Sequence, residues 1–402
     1  MLKRILASFG AVVGATAIAV AANISLLSGP QDPSQLLATV NGLIQSINSQ
    51  ITPQSMAPFS GPRNYLDNGS MQVQQRGTGT VTCAANAAIT SAAYGADRWG
   101  CQANVGSAQG RMQVITASPA PPTDFTASMK LWRNSAALTQ PVCAWQEVPT
   151  TQATELANQT VTVSAYVQAL AGLSADNGNA FNLVIITGTG TDEGFGTPTA
   201  SPAITPAWTG IATPLNSAQT ATTAWVRYQA SVTLASTVTE IGVGICFTPT
   251  ATGAGATDGL AFTGVQLEQG AAASSYEFRP IATETARAQR YFWRINEAAA
   301  GVVQVGGGSA QGTTTTCTTY IPFLVQMRAA PTYSNALTAS TFKIVSASQA
   351  ATALSTPFSA TLAANTVNGA SINFTTTGMT AKDGCFLVGA AGGGVMDFTA
   401  DF

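Results

Sequence analysis

The stretch FTGVQLEQGAAASSYEFRPIATETARAQRYFW, Phe262 to Trp293, decides how the chain is divided. Its first part reads as a closing strand, with Phe262, Val265 and Leu267 apolar and Gly270 ending the run. A small-residue linker follows, and Pro280 fixes a turn. From Thr283 to Trp293 the spacing predicts a helix. Thr283 stands at its N-cap, Glu284 lies in its first turn, and Ala286, Arg287, Arg290, Tyr291 and Phe292 follow at helical intervals. One strand closes a domain and one helix opens the next, so domains are predicted over 63–280 and 281–402.

Upstream of this boundary, short strands are predicted at Ser70 to Gln74, Arg111 to Thr116, Ser128 to Trp132, Thr160 to Val167, Asn182 to Thr187, Val226 to Val232, Glu240 to Phe247 and Leu260 to Leu267. Turn formers separate nearly all of them, a pattern that fits two antiparallel sheets packed as a jelly roll. The insertion Gly188 to Thr223, with GTGTDEGFGTPTASPAITP inside it, is made almost wholly of turn formers and is predicted to be a long surface loop suited to ligand contact. Downstream, strands are predicted at Gly301 to Val305, Thr313 to Val325, Thr341 to Val345, Phe358 to Leu362, Ala370 to Thr376 and Cys385 to Gly389. They describe a second, smaller β-sandwich. The fold class is therefore mainly β.

The first 62 residues differ in kind. Ile5 to Leu27 carries no charge and follows Lys3 and Arg4. Its length suits a bilayer span, its AVAA before Asn23 resembles a signal-peptide cleavage site, and its Ala and Gly suit an apolar anchor inserted in a protein groove. Residues 1–28 are read as that anchor. In 29–62, Leu37, Val40, Ile44, Ile47 and Ile51 keep a three-four spacing, a heptad seam whose isoleucines favour a trimer. An amphipathic helix packed on its own domain would give the same periodicity. Pro53 to Pro62 ends that helix as a Pro-rich linker.

Charged residues are only 8% of the 402, and histidine is absent. Sixteen cations spread along a chain of net charge −2 cannot assemble a nucleic-acid surface. Without histidine, the usual general base and the Ser-His and Cys-His nucleophile pairs are lost. The six cysteines have no CxxC spacing, which argues against zinc.

Several pieces, in order, carry a family resemblance: RNYLDNGSMQVQQRGTG (Arg63 to Gly79), GADRWG (Gly95 to Gly100), AWQEVPTTQATELANQTVTVSAYVQA (Ala144 to Ala169), TTAWVRYQASVTL (Thr222 to Leu234), the boundary stretch itself, IPFLVQMRAAPT (Ile321 to Thr332) and the terminal MDFTADF. Together they resemble phage tail-fibre and related virion receptor-binding proteins, in which a carbohydrate-binding-module-like jelly roll joins a C-terminal β domain. The resemblance implies a homotrimer on the phage particle, on the tail more readily than the head. It implies attachment to other tail or capsid proteins through residues 1–50, and adsorption to a host surface glycan without catalysis. A capsid-attached head fibre or decoration protein and a tail-spike depolymerase are the alternatives. Assembly in a reducing cytoplasm would keep the cysteines as buried thiols, although six could form three disulfides.

Candidate site residues follow from both readings. Trp208, in the long loop, is the indole best placed to stack on a sugar, whereas Trp99, Trp145 and Trp225 lie in framework pieces. Asp192 and Glu193 form the chain's adjacent acidic pair; paired carboxylates serve polysaccharide cleavage, and a solvated turn is the plainer reading. Near Asp67, the resemblance implies a structural calcium held by Asn68 and Glu268. Asp97 with Arg98, and Arg76 and Arg279, read as framework ion pairs or turn contacts.

Overall fold

The computed structural model divides the chain into Met1–Pro62 and Arg63–Phe402. It describes residues 63–402 except 86, 90–92, 104–109, 135–139, 172, 174–177, 179, 197–205, 250–257, 298–303, 311–314, 334–341, 347–358, 376–378 and 390–393. The anchor over 1–28 and the seam of Leu37, Val40, Ile44, Ile47 and Ile51 lie outside the described residues. Among those described, no helix is long and apolar enough to cross a membrane.

Twelve strands build the first sandwich: β1 (Val81–Thr82), β2 (Ala84–Ala85), β3 (Gly100–Ala103), β4 (Gly110–Ile115), β5 (Ser128–Arg133), β6 (Val142–Val148), β7 (Thr160–Ala169), β8 (Ala180–Gly188), β9 (Ala212–Thr220), β10 (Val226–Thr233), β11 (Glu240–Phe247) and β12 (Gly259–Gln269). One sheet runs β1-β4-β5-β12-β7-β10 and the other β2-β3-β6-β11-β8-β9. Successive strands from β5 to β8 change sheet, as a jelly roll requires. The central strands β11 and β12 are buried almost end to end, while β4 alternates buried and half-buried residues. Between the sheets lies one core holding Trp99, Phe181, Phe247 and Phe262.

The chain then enters helix α1 (Ile281–Gln289). It starts two residues before the predicted Thr283, with Pro280 as N-cap; Thr283 lies inside the first turn and donates its N–H to the Pro280 carbonyl at 2.9 Å. It also ends earlier than predicted. Phe292 and Trp293 leave it for β13 (Phe292–Glu297), because the apolar rings have a partner strand to pack on: Trp293 pairs with Phe398 and stacks with it at 5.7 Å.

The second sandwich adds β14 (Gln304–Ser309), β15 (Thr316–Pro322), β16 (Thr332–Tyr333), β17 (Phe342–Ser346), β18 (Ser359–Thr366), β19 (Gly369–Thr375), β20 (Gly384–Gly389) and β21 (Gly394–Thr399). Its sheets run β13-β21-β16 and β17-β20-β14-β15-β19-β18. The core between them holds Phe342, Phe374, Leu387 and Phe398.

Two further expectations are corrected. The cysteines are not buried thiols: Cys83–Cys101, Cys143–Cys246 and Cys317–Cys385 are disulfides. Cys143 and Cys246 face each other in the β6/β11 register, so it is sheet pairing across a separation of 103 residues that brings the thiols together. A loop that long is worth roughly 4–5 kcal/mol in the chain-entropy account. The insertion Gly188 to Thr223 is not all loop either. Ala212–Thr220 is an edge strand paired with β8, and its half-buried face carries Leu215, Ser217 and Gln219, so a single apolar residue is all that marks the alternation.

Candidate functional site: a buried ionic joint and two aromatic clusters

The turn Leu66–Met71 is where the site begins. Asn68 and Met71 adopt positive φ of 51° and 61°, and the Asn68 side chain holds the turn by accepting from the Val73 N–H at 3.0 Å and donating to the Val73 and Asp97 carbonyls. The Asp67 backbone is gripped by Gln146 of β6, which accepts from its N–H and donates to its carbonyl. The Asp67 carboxylate is thereby aimed at α1. It pairs with Arg287 at 2.6 Å on one oxygen and with Arg98 at 3.3 Å on the other. Burial pushes this carboxyl up, but the two guanidiniums outweigh it and hold it below its usual range.

Arg98 is fully buried, at a φ of +73°. It donates to the Glu147 carbonyl and lies over the Tyr291 ring, 3.6 Å from its centroid, with Phe402 beyond at 5.2 Å. Arg76 sits between the rings of Tyr94 and Phe292 and pairs with Asp97 at 3.4 Å and with Asp401. Arg328 bonds the Ala400 and Asp401 carbonyls, covers Phe402 at 4.1 Å, and pairs with Asp192 at 2.9 Å. Arg279 pairs with Glu284 and Glu277 and donates to the carbonyls of Leu66 and Asn64. Five arginines thus tie the first sandwich, α1 and the C-terminal residues into one joint. Asp97 and Arg98 do not pair with each other; each takes an ion partner from earlier in the chain, Asp97 from Arg76 and Arg98 from Asp67.

Burial has consequences for the acids. Glu147 is pushed up to about 7 by burial, only partly offset by Arg98 and by the Phe195 N–H that it accepts at 2.9 Å. Burial likewise raises Asp97 and Asp401 against the pull of Arg76. Arg98 Nη1 and Asp401 Oδ1 are buried with no hydrogen-bond partner among the described residues.

The residues singled out in the sequence are drawn into this framework. Trp208 is buried, stacked on Phe195 at 5.4 Å, which in turn lies 5.2 Å from Trp145; its Nε1 donates to the Gly194 carbonyl. These three rings cover one outer face of the second sheet together with the Cys143–Cys246 bridge, and Gly244 leaves room for the Trp145 ring, since a Cβ there would stand 2.2 Å from it. Trp208 is therefore a packing residue in this arrangement. Asp192 accepts from the Thr150 N–H at 3.1 Å besides pairing with Arg328, whereas Glu193 turns away to accept from the Thr209 N–H and hydroxyl, both at 2.8 Å. Their carboxylates are pins for two different turns and do not converge on one point.

The calcium implied at Asn68 and Glu268 does not fit. Such an ion needs six to eight oxygens. The Asn68 amide is spent on the turn, and Glu268 accepts from Gln266, from the Ser274 N–H and from the Ser274 hydroxyl. Among the described residues no group of three acidic, histidine or cysteine side chains is placed to hold a metal.

A second aromatic cluster was not read from the sequence. Phe125 lies 5.3 Å from Tyr166, 5.2 Å from Tyr276 and 5.1 Å from Phe278, and Phe278 is 53% exposed. Its seat is a bulge in β12 between Thr263 and Gln266, where Gly264 at φ +60° brings the backbone close to Phe125 and Tyr166. VQLEQG gave the strand, but nothing in it signals which segment folds back over the bulge.

No family model matches the chain. No curated protein matches it either. Solved structures do. The xylanase 10B CBM22-1–GH10 modules of Clostridium thermocellum, complexed with xylohexaose, share 13% identity over 46% of this chain and 28% of that one, with a TM-score of 0.28. The enzymatically active domain of bacteriophage CBA120 tailspike protein 4 shares 10% over 52% of this chain and 21% of that one, at 0.30. A CBM4 structure shares 14%, covering 51% of this chain and 99% of that one, at 0.28. The chain thus spans under a third of the length of the first two, and at this level of agreement these structures assign it neither a ligand nor a family.

Proposed function

We propose that the chain is a non-enzymatic virion protein, a trimeric fibre or spike that is attached to its particle through residues 1–50 and binds host surface glycan with its two β-sandwiches. One observation carries this reading. All but one of the pieces that resemble phage receptor-binding proteins supply residues to the joint: Asp67 and Arg76 from the first, Arg98 from the second, Glu147 from the third, Arg287 and Tyr291 from the boundary stretch, Arg328 from the sixth and Phe402 from the last. Residues 31 to 325 positions apart in sequence serve one physical task, fixing two sandwiches to each other. That task suits a protein that must hold binding surfaces at a set distance from a particle.

Catalysis has little support beside it. Asp192 and Glu193 are engaged with separate turns, and Glu147, the acid titrating near 7, is buried behind Phe195 and Arg98. The deciding experiment incubates host cells with the purified full chain before adding the parent particle. Reduced adsorption in proportion to bound protein is expected, with no reducing ends released from host polysaccharide. Unchanged adsorption with folded protein overturns the receptor-binding reading, and release of reducing ends overturns the non-enzymatic one.

A further inference from the structure

The outer face of the second sandwich's six-stranded sheet has the composition of a ligand surface. In the register of that sheet, Phe386, Gly307, Tyr320 and Ser371 stand opposite one another on consecutive strands and so share one face. Thr318 and Asn373 form the neighbouring row on the same face, with the Thr318 hydroxyl donating to the Asn373 Oδ1 at 2.7 Å. That bond uses the amide's acceptor and leaves the group its two N–H donors.

Tyr320 is 50% exposed. A Cβ on Gly369 would stand 2.6 Å from its Cζ and 2.3 Å from its hydroxyl, so the hydroxyl end of the ring leans over a position that only glycine leaves clear, while half of the residue stays exposed. Gly307 separates Tyr320 from Phe386, whose ring edge is 3.8 Å from where a Gly307 Cβ would be. Two aromatic residues thus stand on strands about 9–10 Å apart, two strand spacings, with Gly307 between them and the Gln304 amide nitrogen 3.7 Å from where its Cβ would be.

We infer that this face binds a neutral glycan, one pyranose ring stacking on Tyr320 while Asn373, Ser371 and Thr318 exchange hydrogen bonds with its hydroxyls. The inference rests on the glycan reading above and names a surface for it in the second domain. The chemistry selects this occupant. Sugar rings present flat arrays of C–H groups edged by hydroxyls, which match an open ring beside small hydrogen-bonding side chains. Among the described residues of the face, Lys343 of β17 is the one charged side chain, too little to attract an anionic polymer. A protein partner would ask for a continuous apolar centre, and here Phe386 with Val345 beside it stands apart from Tyr320, with Gly307 between and Ser, Thr and Asn around Tyr320.

The test uses the full chain on a microarray printed with neutral oligomers (β-1,4-glucan, α-1,4-glucan, β-1,4-galactan) and with sialylated and uronic-acid oligomers. Binding to a neutral oligomer is expected, weakened at least about tenfold by Tyr320→Ala and kept within about twofold by Tyr320→Phe, which retains the ring. Gly369→Ala, which displaces the ring without removing it, should weaken binding as well, and Phe278→Ala should not. Neutral binding that survives Tyr320→Ala overturns this site and leaves the glycan reading standing. Binding to anionic oligomers alone also overturns the site. A parent protein that binds nothing on the array overturns the glycan reading and the site together. Light scattering supplies the remaining arm: a lower mass for Tyr320→Ala than for the parent would make the face an interface between copies and overturn the proposal.

Discussion

The joint and the outer face of the C-terminal sheet use the same scarce resources in opposite ways. The joint takes five of the chain's 16 cations and buries Arg98 fully and the other four largely; the sheet face, among its described residues, has Lys343 alone. Both set aromatic rings against a neighbour, but in the joint that neighbour is an arginine, as with Arg98 on Tyr291 at 3.6 Å, and on the sheet the end of the Tyr320 ring leans over Gly369. Tyr291, covered by a guanidinium and buried, has no face left for a ligand. Tyr320, half exposed, has one. The difference teaches that position in the fold, and not residue type, separates structural from ligand-facing aromatics here, which is why Trp208, the obvious indole, turns out to be packing.

Removing Arg98 should break the comparison most severely. Arg98→Met leaves Asp67 with Arg287 alone and removes the cation from Tyr291, and unpairing a buried ion of this kind costs about 3–5 kcal/mol. Urea unfolding of residues 63–402, the compact unit, reads this directly. Arg98→Lys should recover only part of the loss, because an ammonium cannot both stack on the ring and bond the Glu147 carbonyl. A loss below 1 kcal/mol for the Met variant would show that the joint is not what fixes the sandwiches together.

Next in size is the pH response. Glu147 titrates near 7 when folded and near 4.5 when unfolded. A raised acid contributes stability that is fully present below the unfolded value and is lost as pH rises through the folded one, so this residue's share declines between about pH 4.5 and 7. Glu147→Gln keeps an acceptor for the Phe195 N–H and removes the titration. We expect it to flatten the decline and to leave the protein more stable at pH 8 by up to roughly 3 kcal/mol. Asp67, held low by its arginines, runs the other way and should keep its contribution as pH rises. A variant with an unchanged pH profile would mean that solvent reaches Glu147.

How far the sequence reveals all this depends on what each element faces. Strands with one apolar face, such as β4 and β10, are legible from alternation, and β11 and β12 from unbroken apolar runs. β9 is not, because ATPLNSAQT is an edge strand whose half-buried face has Leu215 followed by the polar Ser217 and Gln219. β13 reads as helix because Tyr291 and Phe292 happen to continue the spacing of α1, and only the partner strand β21 decides otherwise. The disulfide Cys143–Cys246 leaves no local trace, since its spacing is set by sheet register. The arginines of the joint are visible as framework residues, but their partners are not. Arg98 reaches Asp67 only because positive φ values at Arg98 and Asn68 turn both segments inward.

A smaller effect separates a strut from a ligand contact. Asp192→Asn keeps an acceptor for Thr150 and deprives Arg328 of its ion partner. The Asp192 side chain is 34% exposed, so solvent screens the pair and the loss should stay below about 1 kcal/mol. Glycan binding and host-cell binding should not change. A drop in binding with stability intact would return Asp192 to the ligand surface and extend that surface to the joint's edge.

The smallest effect is the one that tells the two regions apart most sharply. Tyr320→Ala should alter the stability of residues 63–402 by no more than about 0.5 kcal/mol, because half of the residue already meets water and the end of its ring leans over Gly369, outside the core. Phe398→Ala is the natural comparison. That ring is fully buried against Trp293, Phe323 and Tyr333, and its loss should cost about 3–5 kcal/mol. A ring that contributes nothing to folding while leaning over a glycine that makes room for it has to be explained by what it meets outside the domain. A loss above 2 kcal/mol for Tyr320→Ala would mean instead that the face is covered in the folded protein and that the sheet, like the joint, uses its aromatic rings for itself.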